Sequence, residues 1–226
     1  MNNELWKKID NHIIETFSTT NKQFKKELIS SIAINIINAN QIIKIVGKKK
    51  WLTIIFELFY EIKKIMSYYD LDFISTHNNI IYGIFRTPTK ERIQEIFECA
   101  VNLNTFKEHF NKRIQDSIIE KKLNIDFGIG LAFSEENYLI NSNSKNNNNF
   151  FKSKSIDLSI YLSEIANPEE NDVILLNDLI FANFTSKYKK ENKSVLDFTT
   201  YKIENDTFYG CSLINIDYSE WVKKIK

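Results

Sequence analysis

Apolar residues recur along the chain at two spacings, one helical and one extended, and the switches between them outline the elements. Near the start, Trp6, Ile9, Ile13 and Ile14 fall on one stripe of a helix predicted over Glu4–Phe17, and the polar stretch Thr19–Gln23 follows as a connector. Leu28–Ile37 reads LISSIAINII, an isoleucine-rich run that suits a central strand. From Trp51 to Tyr69, residues Ile54, Ile55, Leu58, Phe59, Ile62 and Ile65 return at helical spacing. Leu71–Thr76 and Ile80–Phe85, separated by the polar His77-Asn78-Asn79, predict a hairpin. Pro88 is read as opening the next helix, where its missing amide hydrogen costs little, and that pattern runs to about Ile119. Ile125–Phe133 and Tyr138–Ile140 predict a second hairpin. The run Asn141–Asn149, NSNSKNNNN, has no apolar period and reads as a solvated loop. Beyond it come a helix near Ile156–Ala166, a strand Val173–Leu176, a helix near Leu179–Phe184 and ragged strand-like pieces to Ile216. This order predicts an α+β sandwich with helices packed on one mixed sheet. Neither side of the Asn run carries enough elements to cover a sheet, so residues 1–226 are expected to form a single domain.

Charge changes the picture mainly by exclusion. Lys plus Arg total 30 against 29 Asp plus Glu, a net charge of +1, so no global field steers the chain toward nucleic acid. No apolar run approaches the roughly 18 residues of a membrane span, and MNNELWKKID has acids where a secretory leader would have its apolar core. The expectation is a cytoplasmic protein with no membrane insertion. Cys99 and Cys211 stand in unrelated contexts and His12, His77 and His109 are scattered, which argues against a disulfide framework or a Cys/His zinc site. The excess of Ile, Asn and Lys fits an AT-rich coding genome, so a single Asn carries little weight.

Isolated features point to chemistry only weakly. Gly128-Ile129-Gly130 resembles a phosphate loop but lacks the following Lys and opens no helix, which favours a strand passing close to another backbone. His77 has no nucleophile or carboxylate in a partner motif and reads as a loop histidine. Lys48, Lys49 and Lys50 read as a solvated helix start, and Cys99 as core.

The segments together resemble the class III nucleotidyl cyclase catalytic domain, from about Leu28 to Leu213. The likeness rests on IAINIINAN (Ile32 to Asn40), WLTIIFELFYEIKKIM (Trp51 to Met66), STHNNIIYGIF (Ser75 to Phe85), DFGIGLAF (Asp126 to Phe133) and IDLSIYLSEIANP (Ile156 to Pro168), in that order. It implies a ferredoxin-like βαββαβ core. GIGLAFSEENYLI, the SEIANP helix end and the tail YGCSLINIDYSEWVKKIK are similar to the stand-alone bacterial cyclases of Pycsar anti-phage systems, which make cyclic UMP or cyclic CMP.

The resemblance also implies a site, and the residues depart from it. Two carboxylates on adjacent strands should hold the metal ions, yet Asn35 and Asn79 occupy those positions. No Asp or Glu occurs from Ser30 to Leu52 or from Phe73 to Thr89 to replace them. An Asn and an Arg from a second copy should orient the ribose and stabilise the phosphoryl group, and Asp157 and Tyr161 stand there. Asn35, Asn38, Asn79, Lys152 and Lys154 remain nucleotide-binding candidates. As neutral turn groups for Asn35 and Asn79, and a first-turn helix residue for Asp157, these residues also have plain structural readings. The leading expectation is a pseudoenzyme that forms a homodimer and binds a nucleotide, or an effector protein encoded beside it in a defence operon, with no cofactor. One alternative is an active pyrimidine nucleotide cyclase using Mg²⁺ or Mn²⁺. Another is a pure interaction module working through the Glu4–Phe17 helix.

Overall fold

Ile29–Ile36 is buried along almost its whole length, as a strand must be when both its faces are covered. The computed structural model describes residues 24–117, 123–135, 137–140, 150–170, 172–186, 188, 197–203 and 206–217. The predicted Glu4–Phe17 helix, the Thr19–Gln23 connector and the Asn141–Asn149 run lie outside them.

In chain order the elements are β1 (Phe24–Lys26), β2 (Ile29–Ile36), α1 (Ala39–Ser67), β3 (Phe73–His77), β4 (Ile80–Arg86), α2 (Lys90–Ser117), β5 (Phe127–Ser134), β6 (Asn137–Ile140) and β7 (Phe150–Ser153). They continue with α3 (Lys154–Ile165), β8 (Ile174–Asn177), α4 (Asp178–Ala182), β9 (Thr199–Ile203) and β10 (Asp206–Cys211). Seven strands form one sheet in the order β3-β4-β2-β5-β8-β10-β9, and β1-β6-β7 form a second, smaller sheet. In the large sheet β5 and β8 are parallel and every other neighbouring pair is antiparallel. The fold is thus α+β with a mixed sheet, as expected, but with two sheets instead of one.

Strand alternation sorts the two faces of the large sheet. Ile32, Ile34 and Ile36 of β2 and Phe127, Ile129 and Leu131 of β5 join one buried cluster with Ile54, Leu58 and Ile62 of α1 and Ile96 and Leu103 of α2. On the other face, Ser31, Ala33, Gly128 and Gly130 lie under α3. A Cβ placed on Gly130 would stand 1.9 Å from the Ser159 carbonyl oxygen, and one on Gly128 would stand 2.4 Å from those of Ser163 and Ala166. These glycines are strand residues over which another backbone passes closely, as the sequence suggested. Ser155, Ser159 and Ser163, spaced one helical turn apart, are the buried side of α3. Ser31 donates to the Ser155 carbonyl at 2.5 Å and sits 2.9 Å from the Ser159 hydroxyl.

Several boundaries correct the sequence reading. α1 begins at Ala39 instead of Trp51, because Ala39 and Ile42 pack into the core ahead of a break at Gly47 (φ 81°, ψ 158°). That backbone conformation belongs to glycine. α2 begins at Lys90, after Pro88, and the Thr89 hydroxyl caps it by accepting from the Arg92 amide at 3.2 Å. The predicted hairpin of Ile125–Phe133 with Tyr138–Ile140 does not form. β5 pairs with β2 and β8, whereas β6 leaves to join β1 and β7, so adjacent apolar runs enter different sheets. The ragged C-terminal pieces resolve into the antiparallel pair β9 and β10.

Candidate functional site

The β3–β4 hairpin turns at Asn78 and Asn79, with Asn78 in the left-handed region (φ 54°) that Asn tolerates. This turn sits at the end of β2. Asn35 lies opposite Ile80 of β4, and the Ile36 amide donates to the Asn79 carbonyl at 3.1 Å. The two half-buried asparagines therefore stand side by side at one end of the sheet. Asn38, three residues on, is a clamp: its Nδ2 donates to the Asn124 carbonyl at 2.7 Å and to the Asp126 carboxylate at 3.3 Å. Its Oδ1 accepts from the Asp126 amide at 3.1 Å.

Asp126 is a carboxylate that the sequence reading did not place here. It precedes Phe127, which pairs with Ile36, so it reaches the same sheet end as Asn35. Besides Asn38 it faces Lys107, whose ammonium burial pushes below its ordinary value while the Asp126 and Glu108 charges pull back upward. A hard, reluctantly dehydrated ion such as Mg²⁺ needs carboxylates. The amides of Asn35 and Asn79, with one carboxylate already engaged, do not fit it. Among the described residues no group of three or more His, Cys, Asp or Glu is arranged to hold a metal ion.

The other candidates lie on α3. Lys154, Asp157 and Tyr161 line a concavity of about 850 Å³ with Phe133, Ser134 and Glu135 of β5 and its extension, Asn177, Asp178 and Leu179 at the start of α4, and Asp206, Thr207 and Phe208 of β10. Tyr161 packs against Phe208 with ring centroids 6.4 Å apart. Asn177 shapes the rim, accepting from the Phe133 and Ile180 amides at 3.2 and 3.3 Å and donating to the Phe133 carbonyl at 3.0 Å. Among the described residues the lining carries four carboxylates, Glu135, Asp157, Asp178 and Asp206, and one cation, Lys154. Only Lys154, Asp157 and Tyr161 among these were candidates in the sequence. The rest are scattered over several elements with no local motif to mark them.

Within one chain these two places do not meet. Gly128, paired with Asn35, lies under Ser163 and Ala166 near the C-terminal end of α3, whereas Lys154 and Asp157 stand in its first turns. About 14 Å of helix rise separates Asp157 from Ala166. Lys152 lies on β7 opposite Tyr138. Lys48, Lys49 and Lys50 are exposed just after the Gly47 break, and His77 is exposed beside Asn78. Cys99 is fully buried, as expected of a core residue, and burial pushes its thiol far up.

No family model matches the chain. It is 27% identical over 154 residues to a uridylate cyclase from Treponema porcinum, a match covering 67% of this chain and 51% of that protein. The chain thus spans about half the length of the curated relative it matches. The adenylyl cyclase CyaB from P. aeruginosa superposes with a TM-score of 0.66 at 10% identity, covering 83% of this chain and 94% of that one. A non-canonical dimeric guanylyl cyclase domain of the RhoGC fusion protein, from the aquatic fungus Blastocladiella emersonii, gives 0.61 at 13% identity, covering 83% and 95%. The fold is that of class III nucleotidyl cyclase catalytic domains, and the chain is a nucleotide-cyclase-like protein. Among the described residues no helix is long and apolar enough to cross a membrane.

Proposed function

We propose that this chain is a catalytically silent nucleotide-cyclase-like domain that acts by binding, to a nucleotide or to a partner protein, in place of turnover. The observation that carries this reading is the pair Asn35 and Asn79, adjacent at the strand end where the cyclase resemblance puts metal-binding carboxylates. Without those charges nothing at this position anchors two cations or lowers the pKa of an attacking hydroxyl. Asp157 and Tyr161, standing where an Asn and an Arg would act on the ribose and phosphoryl group, supply no cation for the transferring charge. The four carboxylates around Lys154 also repel a triphosphate, which favours a partner protein or a ligand with little negative charge in that concavity. A defence role with a neighbouring effector extends this reading through the Pycsar likeness.

The purified chain, given UTP or CTP with Mg²⁺ or Mn²⁺, is expected to release no pyrophosphate above a blank. Release that survives purification and disappears in Asn35→Ala would establish the second reading, an active pyrimidine nucleotide cyclase. The likeness to a uridylate cyclase favours that reading. Calorimetric titration with the four ribonucleoside triphosphates, cyclic UMP and cyclic CMP then separates nucleotide binding from partner binding. The absence of any heat at millimolar ligand leaves the partner form alone.

The proposal includes a twofold homodimer in which Asn35 and Asn79 of one chain face Asp157 and Tyr161 of the other. Its support is the separation of the two places along α3 within one chain. Light scattering at micromolar concentration should return about twice 26.7 kDa. A monomeric mass at that concentration would count against the cleft.

A further inference from the structure

Past the break at Gly47, residues 48–67 of α1 are apolar on two opposite sides. The inward residues Trp51, Ile54, Leu58, Ile62 and Met66 are buried in the core. Leu52, Phe56 and Tyr60, one turn apart, point the other way and are 65%, 68% and 52% exposed. A surface helix ordinarily presents one apolar stripe, and this second one is a continuous ridge about 12 Å long, not a scatter of single residues. Its border is of one sign. At about 100° of turn per residue, Lys48, Lys49, Lys63 and Lys64 fall within about 80° of Phe56, and no Asp or Glu of the helix does. Glu57 and Glu61 stand on one flank, and Glu61 is held there by Lys64 at 3.1 Å and Arg113 at 3.8 Å.

We propose that this face of α1 rests on the surface of an anionic phospholipid bilayer, with Leu52, Phe56 and Tyr60 at headgroup depth and the lysines against lipid phosphates. This is surface contact, in which no helix crosses the membrane. An apolar crest bordered by lysines is the pattern of a helix that lies in the interface plane, and a tyrosine there keeps its ring among apolar groups and its hydroxyl in water. Lysine suits the border because its stem can run along apolar surface while its ammonium reaches a phosphate. Lys49 and Lys63 stand at the two ends of the crest, about 21 Å apart along the helix. The Lys64 Nζ lies 4.5 Å from the centroid of the Tyr60 ring, so its charge stays beside the crest although Glu61 shares it.

Charge and composition favour this occupant over others. Protein interfaces are enriched in arginine and depleted of lysine, whereas α1 carries lysines and no arginine. A second copy of α1 laid antiparallel about Phe56 would bring Lys49 against Lys63 at both ends, a like-charge contact that opposes self-association. A nucleic acid would engage the lysines through its phosphates and leave Leu52 and Phe56 in water. Anionic lipid satisfies both parts of the face at once. α1 packs on the sheet face opposite α3, so a bilayer on its outer side leaves the concavity beside α3 open.

The test is flotation of the full chain with vesicles made of equal parts phosphatidylglycerol and phosphatidylcholine, against vesicles of phosphatidylcholine alone. The chain should float with the first and stay behind with the second. Lys49→Gln combined with Lys63→Gln should weaken partition into the anionic vesicles roughly thirtyfold, since each lysine near such a surface contributes about fivefold. Phe56→Ser should weaken it about tenfold by removing the centre of the crest. All three positions are exposed, so neither variant disturbs the core. A fluorophore sensitive to polarity fixes the face: attached at Leu52→Cys it should shift to the blue on anionic vesicles, and at Lys202→Cys, exposed on β9, it should not. Cys99 and Cys211 stay unlabelled because both are buried, Cys211 with its thiol pushed up to about 12 by that burial. No flotation with the anionic vesicles, equal flotation with both kinds, or variants that float like the unaltered chain would overturn the proposal. A solution mass that falls to one chain in Phe56→Ser would overturn it in favour of a second copy on the ridge.

Discussion

Gly130→Val should leave almost no folded protein at 37 °C. The added Cβ would stand 1.9 Å from the Ser159 carbonyl oxygen, 2.5 Å from the Ser163 nitrogen and 2.9 Å from the Leu162 Cβ. The first two are helix backbone, which cannot rotate aside like a flexible side chain, so α3 would have to lift from β5. Lifting it exposes Leu162 and breaks the Ser31 contacts with Ser155 and Ser159. Overpacking alone costs about 1–3 kcal/mol, and the stranded hydroxyls and exposed apolar surface add several more, against a total of roughly 5–15 kcal/mol for a domain. Circular dichroism with temperature is the measurement. A midpoint within a few degrees of the unaltered chain would mean that α3 is held less closely than the geometry shows. Gly47→Ala, which meets nothing within 4 Å and suffers only from its φ of 81°, is the milder comparison.

The double substitution Asn35→Asp with Asn79→Asp should create a divalent-metal response where the unaltered chain has none. The two new carboxylates would stand on neighbouring strand ends, beside Asp126, and their mutual repulsion should lower stability in metal-free buffer. Adding Mn²⁺ should restore it, because an ion that binds only the folded state stabilises by about 2.7 kcal/mol at a hundredfold excess over its dissociation constant. The unaltered chain should show no shift of its unfolding midpoint with Mn²⁺ under the same conditions. A shift in the unaltered chain would mean that Asn35, Asn79 and Asp126 already form a metal site, and the silent-domain reading would fall.

Much of this fold was legible because long elements carry their own periodicity. LISSIAINII announced a central strand, and β2 is one, between β4 and β5. The β3–β4 hairpin and the body of α1 followed from the same kind of pattern. The errors cluster where local pattern and tertiary placement part. The first turns of α1 hide among two asparagines, a glycine and four lysines, which read as connector until the burial of Ala39 and Ile42 is known. Tyr138–Ile140 follows β5 so closely that a hairpin was the natural reading, yet its partners are β1 and β7, which no local spacing could identify. α3 was legible as a helix near Ile156–Ala166, but the packing of its Ser155, Ser159 and Ser163 over strand glycines was not, because small polar residues carry no apolar signal.

The candidate site divides similarly. The resemblance set Asn35 and Asn79 on adjacent strands, and the register brings the two residues to the same end of the sheet. Asn38 could not be read as a clamp without Asn124 and Asp126, far along the chain. The acidic lining of the concavity is assembled from β5, α3, α4 and β10, and only the folded arrangement shows that its charges share one space.

The pairing of β2 with β5 governs how fast this molecule can form. Ile32 lies opposite Leu131, about a hundred residues later, while β4 can close against β3 across a two-residue turn. The early product is therefore the three-stranded sheet β3-β4-β2, in which β2 is the edge strand and waits for its second neighbour. Until β5 arrives, the backbone groups along that side of β2 are an open template, flanked by isoleucines, for any extended chain nearby. A ribosome releasing this sequence has to hold that edge exposed through the synthesis of all of α2. Folding speed, and the fraction lost to aggregation, are thus set by the delay between two strands that end up side by side.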